Sequence, residues 1–210
     1  MLGEATTKEK ISVPAERARS GFVEQLSHEA SLVATVTSAF STDPIARWVY
    51  PKAADYYRWF PSFVRAFAGK AIADKSALYT SNYSGVALWL QPGAHADEDA
   101  LVKLVYDSLP EERYAEMFEL FEKMDAGHPA GDHWYLPMIG VDAYRQNLGI
   151  GTGLMKLALE RSDRERLSSY LESSNPRNIS LYLRCGFEKV GEIRAGGSPP
   201  LVRMLRKPRR

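Results

Sequence analysis

The chain has 210 residues, 45% of them hydrophobic and 11% aromatic, enough apolar material for one buried core. Lys and Arg total 27 against 26 Asp and Glu, a formal net charge of +1, which lacks the basic excess that neutralises a run of nucleic-acid phosphates. No stretch approaches the roughly 18 uninterrupted apolar residues of a membrane span, and the single cysteine, Cys185, has no intrachain disulfide partner, so a reducing, cytoplasmic setting is expected.

Residues 1–20, rich in Lys, Glu, Arg, Ala and Thr without periodicity, are expected to form a flexible arm ahead of a single domain at 21–210. Their stretch "MLGEATTKEKISVPAERARSG" has no apolar centre of the kind a secretory signal needs. In "SHEASLVATVTSAF", Ser27 is a candidate N-cap, and Leu32, Val33, Val36, Ala39 and Phe40 recur at helical spacing. "STDP" is a turn, and "AADYYRWFPSFVRAFAGKAIA" is a helical region interrupted by Pro61. "SALYTSN" and "SGVALWLQP" form a hairpin closing at residues 82–84. "DEDALVKLVYDSL" and "EERYAEMFELFEKMDAG" are amphipathic helices split at Pro110, the second stopped by Gly127 and Pro129.

The C-terminal half alternates: strand "HWYLPMIGV", a helix over 148–164, strand "LSSYLES", helix "PRNISLYLRC", then strands "FEKVGEI" and "LVRMLR". A βαβαββ order predicts a mixed sheet with helices on both faces. The basic end "RMLRKPRR" reads as a solvated terminus.

Within "QNLGIGTGLMKLAL", Gly149, Gly151 and Gly153 stand at the strand-to-helix junction. Without Cβ atoms this backbone can approach a ligand closely, and the N–H groups and dipole of the following helix attract an anion such as a diphosphate. A tight turn with close helix packing is the rival use. A dinucleotide fingerprint needs G-x-G-x-x-G directly after the strand. Glu172 stands where its acidic residue would, but the glycines run G-x-G-x-G and seven residues, 142–148, intervene after Val141. A nucleotide-dependent oxidoreductase is disfavoured on that count, and no Gly-Lys-Ser/Thr follows to make a P-loop.

"GVDAYRQNLGIGTGLMKLAL" resembles the central motif of the GNAT superfamily of N-acetyltransferases, Q/R-x-x-G-x-G/A, here Gln146-Asn147-Leu148-Gly149-Ile150-Gly151. "LESSNPRNISLYLRCGF" lies a strand further on, as that superfamily's second motif does. Within it, residues 40–51, "ALWLQPG", "WYLPMIGV", "LESSNPRN" and a late "RKP" are similar to the puromycin N-acetyltransferase group. Asn147 and Leu148 stand where those relatives commonly have Gly and Lys; Asn tolerates the left-handed conformation the turn needs, while a phosphate charge is lost. The resemblance implies an α/β (α+β) fold whose mixed, mostly antiparallel central sheet of six to seven strands is flanked by helices and splayed between two parallel central strands. It implies acetyl-CoA as co-substrate, its diphosphate on Gln146, Asn147, Leu148, Gly149, Ile150, Gly151 and Thr152, its pantetheine arm along Met138, Ile139, Gly140 and Val141, and further contacts from Asn175, Asn178 and Tyr182. The partner it implies is a primary amine of a small molecule, attacked directly in a ternary complex by a monomer or homodimer. A non-catalytic acyl-CoA-binding protein is the alternative.

Pro137 points independently to an opening, because a proline inside an apolar strand cannot donate its ladder hydrogen bond and belongs at a bulge, a parting of strands or an edge. Acetyl transfer needs a neutral amine, a stabilised oxyanion and a held or protonated thiolate. Main-chain N–H groups near Gly140 and Val141 suit the oxyanion. By resemblance Tyr182 serves the sulfur; with ordinary values of about 10 for tyrosine and about 8.5 for a thiol, full transfer runs uphill by about 2 kcal/mol, so it acts with a lowered pKa or as a hydrogen-bond donor. Glu172, which alternation places with Tyr170 opposite Leu171, is the candidate base, with pairing to an arginine such as Arg177 as its structural alternative, and Asp43 or a water chain in reserve. One of Asn175 and Asn178 caps the following helix. Cys185, ahead of Gly186, reads as a helix-end residue and not a nucleophile. The acceptor pocket is expected from Asp43, Trp48, Tyr50 and Trp89, with Tyr56 and Trp59 nearby. His28, His95, His128 and His133 lack metal-ligand spacing, so no metal is expected.

Overall fold

A computed structural model describes residues 11–12 and 22–209; apart from Ile11–Ser12, the predicted arm lies outside the described residues. The strands are β1 (Ile11–Ser12), β2 (Leu78–Thr80), β3 (Gly85–Leu90), β4 (His133–Val141), β5 (Ser168–Ser173), β6 (Glu188–Ile193) and β7 (Leu201–Arg206). They form one sheet in the order β1-β2-β3-β4-β5-β7-β6. Among the described strands only β4 and β5 run parallel; every other neighbouring pair is antiparallel. The expected mixed, mostly antiparallel sheet is therefore present.

The helices are α1 (Phe22–Ala39), α2 (Pro44–Val49), α3 (Ala53–Ala73), α4 (Glu98–Ser108), α5 (Tyr114–Asp125), α6 (Ile150–Glu165) and α7 (Ile179–Arg184). Strand alternation divides the core in two. Val86, Leu88 and Leu90 of β3 join Tyr135, Met138 and Tyr170 in a core with residues of α1–α5. Ala87 and Trp89 point the other way, packing with Leu171, Met204 and Leu154, Met155 and Leu159 of α6. No helix among the described residues is long and apolar enough to cross a membrane.

Three local expectations are corrected. α1 begins at Phe22, so Ser27 lies inside the helix and is not its cap. α3 runs unbroken through Pro61; Tyr57, one turn earlier, is exposed, so solvent can satisfy the carbonyl that a proline leaves without its donor. The basic end is a solvated tail only beyond Arg206, where Lys207 and Arg209 are exposed. Its first four residues, 203–206, complete β7, and Arg206, with only 3% of its side chain exposed, makes a bidentate pair to Asp163 at 2.7 Å for each contact. The same guanidinium donates to the Cys185 carbonyl at the end of α7 (3.1 Å), supplying a terminal acceptor with its donor. Cys185 is the half-buried C-cap, its thiol pushed up by burial.

Candidate active site

The site starts from a failure of strand pairing at Pro137. On one side, the β3–β4 register slips between Leu88, opposite Met138, and Leu90, opposite Tyr135. On the other, His133, Trp134 and Tyr135 of β4 pair with Ser168, Ser169 and Tyr170, and the ladder then ends. Since β4 lies in mid-sheet, Pro137 marks both a bulge and a parting of strands, and the edge reading is excluded. Beyond Pro137 the β4 edge facing β5 has no strand partner among the described residues.

A cleft of about 460 Å³ opens at this parting. Ile139, Gly140 and Val141 line one side, and Gln146, Asn147, Gly149, Ile150, Gly151 and Thr152 its floor. Gly149 sits at φ +82° as the N-cap of α6 and Asn147 at φ +63°; both are left-handed, a conformation that glycine adopts freely and asparagine tolerates. The loop thus curls its main chain toward the cleft ahead of a 16-residue helix whose N-terminal dipole faces it. Gln146 donates its Nε2–H to the Val141 carbonyl (3.2 Å), tying the loop to β4. Gly140 has a different reason: a Cβ there would stand 2.8 Å from that of Ala39, so its absence lets α1 lie against the strand.

Asn175, Asn178 and Tyr182 also line the cleft. Asn175 is the cap, its Oδ1 accepting from the Arg177 N–H (3.1 Å), whereas Asn178 makes no side-chain cap. Tyr182 is buried against Phe187, ring centroids 6.1 Å apart, and burial raises its hydroxyl above the usual tyrosine range, reinforced by the nearby Asp43 charge.

On the other face of the sheet, a narrow apolar cavity of about 80 Å³ is lined by Phe60, Phe63, Tyr50, Met117, Pro137 and Met138, with Asp43, Ser174 and Glu172 as polar members. Phe40 and Asp43 line both cavities, so the two meet there. Asp43 is buried and fully engaged: Oδ1 accepts from the Ile45 and Ala46 N–H groups (3.0 and 3.1 Å) at the start of α2, and Oδ2 from Ser174 Oγ (2.6 Å). Burial raises its carboxyl, and these three donors offset part of that rise.

Glu172 is different. Only 2% of its side chain is exposed, and Oε1 has no hydrogen-bond partner among the described residues. Burial pushes its carboxyl up to about 7; the hydroxyls of Tyr135 and Tyr170 and the charge of Arg203 limit the rise. As alternation implied, Tyr170 and Glu172 share a face opposite Leu171. Arg177 is not its neighbour but lines the cleft. The cross-strand residue is Arg203, whose guanidinium donates to Tyr170 Oη (3.3 Å) and the Gly127 carbonyl.

Four expected residues stand elsewhere. Met138 belongs to the apolar cavity by the pleat of β4, one residue out of phase with Ile139. Leu148 is 65% exposed and lines neither cavity. Trp48 packs on the first core under the Arg113 guanidinium, 4.4 Å above its ring. Trp89 faces α6 on the opposite side of the sheet. Tyr56, likewise, is core, donating to the Thr37 carbonyl (2.6 Å). The sequence reading did not place Arg145, Arg177 or Arg184 on the cleft, yet all three line it and bring positive charge there, as a lysine at 148 would have.

A cleft at a glycine loop enters a parted mixed sheet and meets an apolar cavity beyond it, in a fold of α/β architecture. The chain belongs to the acetyltransferase (GNAT) family, whose model matches residues 77–187. Among solved structures it is similar to a histone acetyltransferase HPA2 and related acetyltransferase from Corynebacterium glutamicum, at 21% identity and TM-score 0.61 over 96% of this chain and 97% of that one. It is also similar to arylalkylamine N-acetyltransferase 2 from Aedes aegypti (12% identity, TM-score 0.61, 95% and 99% of the two chains) and to a polyamine N-acetyltransferase of Drosophila melanogaster (9%, 0.59, 87% and 96%). At these identities the likeness is one of fold.

Proposed function

We propose that this acetyltransferase moves an acetyl group from acetyl-CoA to a primary amine on an apolar small molecule by direct attack, with both substrates bound. The observation that carries this reading is the junction at Phe40 and Asp43, where the glycine-loop cleft meets the apolar cavity holding Glu172. The cleft suits coenzyme A: left-handed Asn147 and Gly149 leave main-chain N–H groups for a diphosphate, and Arg145, Arg177 and Arg184 add charge. Bound there, acetyl-CoA supplies an activated thioester.

The chain's own residues then divide the work. The unpaired β4 edge at Ile139, Gly140 and Val141 holds an extended arm as an added strand would. Tyr182 stays protonated and donates a hydrogen bond toward the sulfur. Glu172 takes the proton from the acceptor ammonium. Asp43 suits this less, because both of its oxygens already accept hydrogen bonds, whereas Glu172 has an oxygen free to accept. The acceptor's body has room in an adjoining cavity of about 380 Å³ that shares Phe67, Leu101, Phe121, Met124 and Tyr135 with the narrow one. The motif resemblance to the puromycin N-acetyltransferase group accords with such an acceptor.

Thiol release from acetyl-CoA, followed over a panel of primary amines from short diamines to aralkylamines, tests the reading. Saturable, amine-dependent release that favours apolar amines is expected. Stabilisation by acetyl-CoA, about 2.7 kcal/mol at 100 times its Kd, with no turnover on any amine would identify a binding protein instead.

A further inference from the structure

Acetyl transfer from a thioester to an alkylammonium gives an amide, a thiol and one surplus proton. In the proposed reaction that proton arrives on Glu172, which is nearly sealed from solvent. We infer that His128 and His133 form its exit, a two-imidazole relay from the buried carboxyl to the surface. The inference rests on Glu172 being the base.

The geometry lines up three groups. His128 Nε2 lies 3.9 Å from Glu172 Oε1, the carboxylate oxygen with no hydrogen-bond partner. That gap exceeds a hydrogen bond, but about 1 Å of side-chain movement closes it. On its other side, His128 Nδ1 is 2.9 Å from His133 Nε2, and His133 Nδ1 is 2.8 Å from the Gly131 carbonyl. These contacts fix the tautomers of the neutral rings. A carbonyl only accepts, so His133 Nδ1 carries hydrogen and its Nε2 does not. His128 Nδ1 must therefore donate to that bare nitrogen, which leaves the lone pair of His128 Nε2 facing Glu172. The His128 ring is held edge-on to Tyr135 (4.5 Å) and tilted on Tyr170 (4.8 Å), the two tyrosines beside the Glu172 carboxyl.

Both imidazoles of the relay reach solvent. His128 is 27% exposed and lines the 380 Å³ cavity, and His133 is partly exposed at the start of β4. The charged and titratable groups around His128 are His133 on β4, Asp125 on α5, Arg203 on β7, Glu172 on β5 and His95 before α4. Burial first, then the neighbouring His133, pushes His128 down to about 4, so its contact with Glu172 is not an ion pair at neutral pH. Because that lies below the Glu172 value of about 7, His128 does not form a free imidazolium; both of its N–H bonds change together and the ring stays neutral.

Each bond change balances. The Glu172 O–H breaks as an N–H forms at His128 Nε2. The His128 Nδ1–H breaks as an N–H forms at His133 Nε2. His133, now an imidazolium, releases one proton to water; His128 then loses its Nε2–H to water and gains an Nδ1–H from water, an exchange with no net proton that restores the starting tautomer.

The test is steady-state kinetics of His128→Ala, His128→Gln and His133→Ala beside Glu172→Gln, with and without added imidazole. Expected for His128→Ala is a fall in kcat of about tenfold or more, little change in KM for acetyl-CoA, and concentration-dependent recovery with imidazole; His133→Ala should show a smaller fall of the same kind. His128→Gln should remain impaired, since an amide fills the space without relaying. Full kcat in folded His128→Ala, or a loss that imidazole does not restore, overturns the relay even when Glu172→Gln is inactive. Should His128→Ala not fold, an unimpaired His133→Ala overturns it equally. A fully active Glu172→Gln rejects the base and the relay together.

Discussion

Glu172→Gln is expected to lower kcat/KM for the amine by about 10² to 10⁴-fold, the range for loss of a positioned general base. It should leave acetyl-CoA affinity nearly unchanged, because the carboxyl lies in the apolar cavity and not on the cleft. With the Glu172 carboxyl pushed up to about 7 by burial, the wild-type kcat/KM should rise with pH through that value, and the variant's residual activity should lack that limb. Stability moves the other way. A carboxyl raised from 4.5 to about 7 on folding holds its proton more tightly in the native state; its contribution is full below 4.5 and is lost as pH rises through about 7. The loss is about 3 kcal/mol. The glutamine variant has no such charge to bury, so above pH 7 it should unfold at a higher temperature than wild type, while below pH 5 the two should converge. A group that costs stability in the state that makes it active is common at working sites. Pre-steady-state rates and thermal melts at pH 5, 6, 7 and 8 check both slopes; equal pH dependence in the two proteins would remove Glu172 from the mechanism.

Tyr182→Phe should cost about 10² to 10³-fold in kcat, the scale for removing one donor at a developing anion, with KM for acetyl-CoA changed little. Burial holds this hydroxyl above the ordinary tyrosine range, which separates it further from a thiol near 8.5. Full proton transfer to the departing sulfur is therefore harder than the sequence alone implied, and in the proposed reaction the side chain is a donor that stays a phenol. No alkaline limb from Tyr182 should appear below pH 10. The phenylalanine variant keeps the packing against Phe187 and should fold as wild type does. Its loss should shrink with a thioester whose thiol is more acidic, since a better leaving group needs the donor less; an undiminished loss would mean that the hydroxyl serves acceptor binding instead.

The parts of this site that the sequence exposed are those written in contiguous residues. The strand, loop and helix from His133 to Glu165 declare themselves through an apolar run, spaced glycines and good helix formers, while Pro137 left a bulge, a parting and an edge open. Helix ends were harder. Ser27 has the chemistry of a cap, but α1 continues a turn upstream, and Pro61 has the chemistry of a break on a side of α3 where solvent tolerates it. Trp89 was misplaced for a related reason. All six residues of β3 are buried, so hydropathy does not distinguish its faces, and only the packing of α6 does. The arginines at 145, 177 and 184 come from three separate segments and converge only in the fold. The same holds for His128 and His133, whose spacing matches no metal motif yet whose rings meet at 2.9 Å. Glu172 was found by alternation, but its buried, unpartnered oxygen is a property of the tertiary structure.

The most direct measurement is a crystal structure of the protein with coenzyme A bound. The expected density places the diphosphate on the main-chain N–H groups between Gln146 and Thr152, the pantetheine arm along the β4 edge past Pro137, and the sulfur beside Tyr182 at the opening into the apolar cavity. Coenzyme A bound elsewhere on the surface, or a gap between β4 and β5 filled by protein side chains, would contradict it.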